Sequence, residues 1–219
     1  MKLSTETLGV LKNFSTINPS IYFQEGNVLK TLSPQKTIMA QVEVDDTFDS
    51  SFAIYDLNQF LATLSLFDNP ELELDEGFIK VSDAKNSTRY FVTDPDMVVS
   101  PPDKNINLPD SPVEFDMSED DLKSTMSAAN VLQLPDWCVV GNGKTISLTA
   151  TDTKNETSNT FEREVGVTDK NFRMVFKTEN LRLLPGDYEV KISSQRISHF
   201  SGSNGRVQYF VATETNSEV

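Results

Sequence analysis

The chain has 219 residues, 37% hydrophobic and 24% charged, which is enough apolar material for one large core or two smaller ones. A single cysteine, Cys138, excludes an internal disulfide, and with a single histidine, His199, no Cys/His zinc site can be assembled within one chain. The net charge of −14 is the opposite of a basic nucleic-acid footprint, and no apolar run reaches the ~18 residues that a membrane span requires. The opening MKLSTETLGVLKNF has neither the apolar stretch nor the small-residue cleavage site of a secretory leader, so a reducing cytoplasm is expected.

In chain order, the spacing of Leu8, Val10, Leu11, Phe14 and Ile17 predicts an amphipathic helix capped by Ser4. The segments SIYF, NVLKTL and TIMAQVEV then read as strands, followed by a short strand and a helix in FAIYDLNQFLATL, with Leu57, Phe60, Leu61 and Leu64 inward. Three more strand candidates, ELELDEG, FIKVSDA and STRYFVT, close the first half. Four of the ten prolines fall between Pro101 and Pro112, so 101–112 reads as an extended linker between domains at 1–100 and 113–219. The second half repeats the plan: Ser118 caps a helix striped by Leu122, Met126, Ala129 and Leu132, and WCVV, KTISLTAT and TFEREVGV read as strands. FRMVFKTENLRLL, starting at Phe172, then parallels the strand and helix that start at Phe52, with Leu181 and Leu184 inward, and three final strands follow. The fold class expected is α+β, in two similar domains with two helices each.

Candidate chemistry is sparse. His199, in RISHFSGSNG, reads as a residue near a turn and not as a catalytic base. Gly141-Asn142-Gly143-Lys144-Thr145 superficially resembles a phosphate loop, but lies between two strand patterns and reads as a hairpin turn. Asp45-Asp46 ends a strand, and Glu119-Asp120-Asp121 fills the first turn of a helix, where anions complement the dipole. Trp137 reads as core. No catalytic residue, metal site or cofactor is expected.

The opening MKLSTETLGVLKNFSTIN, then FAIYDLNQFLATLSL, IKVSDA, TDPDMVVSP and LLPGDYEV, occur in an order that resembles the T4-type bacteriophage DNA sliding clamps, the DNA polymerase accessory proteins. The resemblance spans nearly the whole chain. It implies two sliding-clamp domains with sheets outside and helices inside, assembled head to tail as a homotrimer into a six-domain ring around duplex DNA. The partners it implies are a replicative DNA polymerase and an ATP-dependent clamp loader, in the cytoplasm of an infected bacterial host, with no membrane. It also raises recruitment of an RNA polymerase sigma-like factor and co-activator for late transcription. An acidic two-domain phage structural or decoration protein is the rival reading, and an enzyme with a backbone- or carboxylate-based metal site a third.

A sliding ring needs weak attraction to phosphates without base readout. In such a ring the helix polar faces would present Lys2, Lys12, Asn13, Asn58, Lys123 and Arg182 to DNA, with Asp120 and Glu179 beside them. By resemblance, the strand with Tyr90, Phe91 and Val92 would meet the strand with Phe161, Arg163 and Val165 of the next subunit. Tyr90 and Phe91 could equally belong to their own core. A partner peptide would use a pocket of Val98, Val99 and Leu108 from the linker side, with Phe210 and Ala212 from the last strand. Packing of the linker on its own domain is the alternative for each.

Overall fold

The computed structural model describes residues 1–102 and 106–219, and the chain divides into two compact units, Met1–Asp103 and Lys104–Val219. Residues 103–105 of the stretch expected as linker lie outside the described residues.

The first unit starts from a capped helix. Ser4 sits in extended conformation and its hydroxyl accepts the Thr7 amide (3.1 Å), so α1 (Thr5–Ile17) begins where the sequence places it. Asp46 accepts the Ser4 amide at 2.7 Å. Burial pushes this carboxyl up, but the hydrogen bonds from Ser4 and Thr7 outweigh it and hold it below the ordinary aspartate value. Val10, Leu11, Phe14 and Ile17 are buried, as their spacing predicts, whereas Leu8 is half-buried and Thr7 is buried beside it. Strand β1 (Ile21–Phe23) pairs with β4 (Phe52–Ile54), and β2 (Gly26–Leu32) pairs with β3 (Ile38–Phe48). Asp56 caps α2 (Leu57–Leu64), which buries Leu57, Phe60 and Leu64 but leaves Leu61, also expected inward, half-buried. The strands β5 (Glu71–Asp75), β6 (Phe78–Ser82) and β7 (Ser87–Phe91) form an antiparallel sheet in that order.

The second unit opens with β8 (Val113–Met117) and α3 (Glu119–Leu132). A reciprocal capping box joins Ser118 and Asp121, and the helix ends on Gln133 in left-handed conformation. One antiparallel sheet runs β11 (Phe161–Val167), β10 (Thr145–Thr151), β9 (Asp136–Asn142), β12 (Asn171–Lys177). Another contains β15 (Val207–Ala212), β14 (Ile197–Gly202), β13 (Tyr188–Ile192) and β8 in that order.

Two helical details differ from the sequence expectation. The second helix of the second unit is a single 3-10 turn, Thr178–Asn180. Its N-cap position holds Lys177, which makes no side-chain cap bond, whereas Asp56 caps α2. Pro185 also restricts Leu184 to extended backbone, leaving too few residues to propagate a helix. Leu181 is buried but Leu184 is only half-buried. On α3 the buried stripe passes through Leu122, Thr125 and Ala129, while Met126 is half-buried and Leu132 exposed. Thr125 is tolerated there because its hydroxyl donates to the Asp121 carbonyl and accepts the indole N–H of Trp137 (3.0 Å). Trp137 itself is fully buried against Phe176.

The glycine-rich loop is a hairpin: the Asn142 side chain accepts the amides of Lys144 and Thr145, and β9 and β10 pair on either side. Gly141 is needed for a different reason. A Cβ there would lie 2.5 Å from the buried Phe172 ring. Gly141→Ala is therefore expected to cost about 1–3 kcal/mol by overpacking, read as a lower midpoint in thermal or urea unfolding.

Candidate nucleic-acid interface and partner surfaces

Lys12 and Lys123 project from exposed positions of α1 and α3, and Asn58 is exposed on α2. Asn13 is half-buried, and its carbonyl accepts the Thr16 hydroxyl. Lys2 precedes α1 and forms an exposed ion pair with Glu71 at 3.4 Å. Arg182 follows the 3-10 turn and its Nε donates to the Glu179 carbonyl at 2.8 Å. The anionic first turn of α3 is largely answered from inside the chain. Arg163 of β11 reaches both Asp121 (2.5 Å) and Asp120 (2.7 Å), forking across two carboxylates. Burial raises the Asp121 carboxyl, but hydrogen bonds from Ser118 and Arg163 outweigh it and keep it low. Arg163, expected at a subunit contact, thus spends its guanidinium within its own unit. Alternation alone could not reveal this, because α3 lies far away in sequence.

The sheet edges are treated unequally. On β12 the outer edge is covered by the chain's last residues. Glu214 N–H donates to Val175 O, Ser217 Oγ accepts Val175 N–H, and Arg173 and Glu218 exchange two bonds of 2.8 Å. On β5 the amide and carbonyl of Leu72 are satisfied by Met1. Strands β11 and β7 stand at the opposite edges of these two sheets, and each pairs on one side only among the described residues. Those are the strands expected at a subunit contact.

Along β7, Phe91 is 73% exposed, while Tyr90 is half-buried with its ring against Phe60 and its hydroxyl donating to the Asp56 carbonyl (2.9 Å). Tyr90 therefore packs within its own unit, whereas Phe91 is mostly exposed and meets only the Phe78 ring among the aromatics. Val92 is half-buried and donates to Gly77 O. Along β11, Phe161 packs partly against Ala129, Leu134 and Ala150, and Val165 is half-buried. Other large apolar residues that the sequence pattern does not single out are also exposed, among them Leu66 after α2, Val131 (82%) near the end of α3, and Val167 (82%) at the end of β11. Val131 falls off the helix's buried stripe, and that was the available signal.

Of the residues expected to take a partner peptide, Val98 is buried and Val99 exposed in the first unit, where the Val99 carbonyl accepts Asn18 Nδ2. In the second unit Leu108 and Ala212 are half-buried. Phe210 stacks on His199 (centroids 4.6 Å apart), and His199 Nε2 is hydrogen-bonded to Gln208. His199 is thus a mid-strand residue in a polar-aromatic stack. The segment before β8 is fastened by Asp110, whose carboxylate accepts bonds from both Ser193 and Ser194; these hold its pKa below the ordinary value. Among the described residues no group of three or more His, Cys, Asp or Glu side chains is placed to hold a metal, and no helix is long and apolar enough to cross a membrane.

Two α+β units built on one plan, each with a capped helix packed against antiparallel sheets, define a DNA clamp fold. Solved clamps share it. The TM-score is 0.70 with PCNA from Thermococcus kodakaraensis (14% identity, 95% of this chain and 96% of that one). It is 0.69 with A. fulgidus PCNA, solved with the C-terminal region of FEN-1 bound (16% identity, 96% of each chain). The DNA polymerase III β-subunit sliding clamp of Bartonella birtlesii gives 0.70 (15% identity, 98% of this chain and 64% of that one).

More specifically, residues 4–99 match the DNA polymerase processivity factor family and residues 114–215 the C-terminal domain of the gp45 sliding clamps. The sliding clamp of Vibrio phage KVP40 is 36% identical over 222 residues, covering 98% of this chain and 99% of that protein. That of Enterobacteria phage T4 is 30% identical over 227 residues, covering 99% and 98%. The chain belongs to this family of sliding clamps, the DNA polymerase processivity factors of T4-type phages.

Proposed function

We propose that three copies close head to tail into a ring that encircles duplex DNA and tethers a replicative polymerase, without catalysing any reaction. The observation that carries this reading is that β7 in one unit and β11 in the other each leave an edge unpaired among the described residues, while the far edges of the same two sheets are met by the chain itself, along β12 and at Leu72 of β5. Pairing two different edges is a heterologous contact, and such contacts close into rings when the rotation permits. Tyr90, Phe91 and Val92 would meet Phe161, Arg163 and Val165, with Val131 and Val167 adding apolar area. Arg163 would act there chiefly by holding α3.

Lys2, Lys12, Asn13, Asn58, Lys123 and Arg182 would face the DNA, while the acidic remainder of the surface would keep DNA from binding outside the ring. Opening and closing a stable ring on circular DNA calls for an ATP-dependent loader. Partner peptides from the polymerase, the loader and a sigma-like transcription factor with its co-activator would use the surface of Val98, Val99, Leu108, Phe210 and Ala212. The compartment would be the cytoplasm of an infected bacterium, and the domains 1–100 and 113–219 would be joined by 101–112.

The test is retention on circular DNA after loading. A topological link predicts that the protein leaves when the circle is linearised and stays when it is intact; equal retention on both would overturn the reading. The helix-face cations are tested separately. Lys12→Ala with Lys123→Ala is expected to flatten the slope of log affinity against log salt by about 0.9 for each phosphate no longer neutralised. Anisotropy on a duplex reads the slope, with the oligomeric state unchanged.

A further inference from the structure

The two units diverge at one place. In the second, β8 lies along β13 from Val113 opposite Ile192 to Met117 opposite Tyr188, burying Val113, Phe115 and Met117. In the first, the corresponding position beside β5 is held by Met1 alone, at Leu72. Ser4 and Ser118 cap matching helices, so Met1 corresponds to Phe115, and Leu74 corresponds to Ile192, which Val113 covers. In an antiparallel ladder alternate residues present both backbone groups to the same side. The amide and carbonyl of Leu74 therefore face the open side, and among the described residues no strand lies there.

Beside that edge is a cavity of about 470 Å³ within the first unit. Its floor is aromatic: Phe23 stacks on Phe52 with centroids 4.5 Å apart, and Phe48 leans against both. Leu74, which lines it, is 40% exposed. The rim is acidic. Glu71 and Glu73 meet Lys2 and Lys80 only in exposed pairs of 3.4 and 3.3 Å, which bind weakly. Asp49 at the rim and Asp75 and Glu76 beside it are in no ion pair among the described residues. The lining includes none of Val98, Val99, Leu108, Phe210 and Ala212.

We propose that this cavity is a second docking site, for an extended partner peptide that adds to β5 at Leu74, sets one bulky apolar side chain on the Phe23–Phe48–Phe52 floor, and carries lysine or arginine on either side of it. The volume is that of a ligand pocket. The Leu74 backbone groups supply strand-addition bonds and the apolar floor supplies the anchor site. The acidic rim sets the charge of the flanks. The second unit shows the fitting pattern, because Val113 lies opposite Ile192 at the place that is open beside Leu74, while Met1 and Leu3 already stand where Phe115 and Met117 do.

The test uses the full-length chain labelled at its six methionine methyls, one of which, Met1, lines the cavity. The probe is the peptide Lys-Val-Lys-Phe-Lys-Met-Lys, with Glu-Val-Glu-Phe-Glu-Met-Glu as its charge-reversed control. The lysine peptide is expected to shift the Met1 resonance saturably, and the glutamate peptide to leave it in place. Leu74→Asn, or Glu71→Lys with Glu73→Lys, is expected to weaken the titration at least tenfold while the buried Met39 and Met174 signals stay put, which shows that the variants remain folded. A Met1 signal unmoved by millimolar lysine peptide, equal shifts by both peptides, or a Met1 shift on simple dilution, which would mean that a second copy fills the cavity, each overturns the proposal. The peptide outcomes depend on neither ring closure nor DNA.

Discussion

A Phe91→Asp chain is expected to remain largely monomeric at micromolar concentration and to support no long products on primed circular DNA, even with polymerase, loader and ATP supplied. Phe91 contributes nothing obvious to its own unit: its ring is mostly solvent-exposed and touches only Phe78 among the aromatics. Placing a carboxylate there leaves the fold intact but would put a charge into the proposed edge contact. Loss of an aromatic anchor at an interface costs about 2–4 kcal/mol, or roughly a thirty- to thousandfold change in affinity. A ring of three must meet that cost at every contact. Sedimentation velocity reads the assembly and circular dichroism the fold. Wild-type trimerisation by this variant would remove β7 from the contact. Val131→Asp is the companion variant for the other side of the proposed contact, at an exposed residue of α3.

The second large effect is on folding. Asp136 is almost entirely buried (its side chain is 1% exposed), and it accepts bonds from Lys177 Nζ (2.5 Å), the Thr153 amide (2.9 Å) and the Thr153 hydroxyl (2.6 Å). Burial pushes the carboxyl up, but the Lys177 and Thr153 bonds outweigh it and hold it below its ordinary value; the same bond holds Lys177 above its own. Asp136→Ala strands a partly buried ammonium and an amide, a loss of about 3 kcal/mol, which lowers the melting temperature by about 6–12 °C for a chain of this size. The pH dependence follows in sign. A depressed carboxyl contributes stability above 3.8 that is lost as pH falls through its lower folded value. A raised ammonium contributes below 10.5 and is lost as pH rises through its higher folded value. The variant's unfolding midpoint should therefore run closer to wild type at either extreme than at neutrality, in urea titrations at several pH values.

How much of this was legible in the sequence varied with the kind of force involved. The α1 stripe was readable at Val10, Leu11, Phe14 and Ile17, which are apolar at helical spacing, but not at Thr7, which is buried beside the Ser4 cap. The core position of Thr125 was not, because a threonine joins a core only when a particular donor, here the Trp137 indole, comes to it from another strand. The helix expected after β12 failed on a local signal that was in plain view: no capping side chain at Lys177 and a proline at 185. The edge character of β7 and β11 was anticipated by resemblance. Arg163's fork onto α3 depends on a long-range juxtaposition that period-two alternation does not encode. The cavity in the first unit was invisible for a related reason. It lies where, among the described residues, Met1 alone stands beside β5, and alternation reports strands rather than gaps between sheets.

The unequal edges of each unit also give the molecule a sense of direction. If β7 of each copy always joins β11 of the next, every copy circulates the same way, and no two-fold axis can lie in the plane of the ring. Its two rims then expose different loops and different chemistry. A duplex threaded through it would meet a polymerase on one rim and not the other, so orientation on the template would be decided at loading and kept while the ring remains closed.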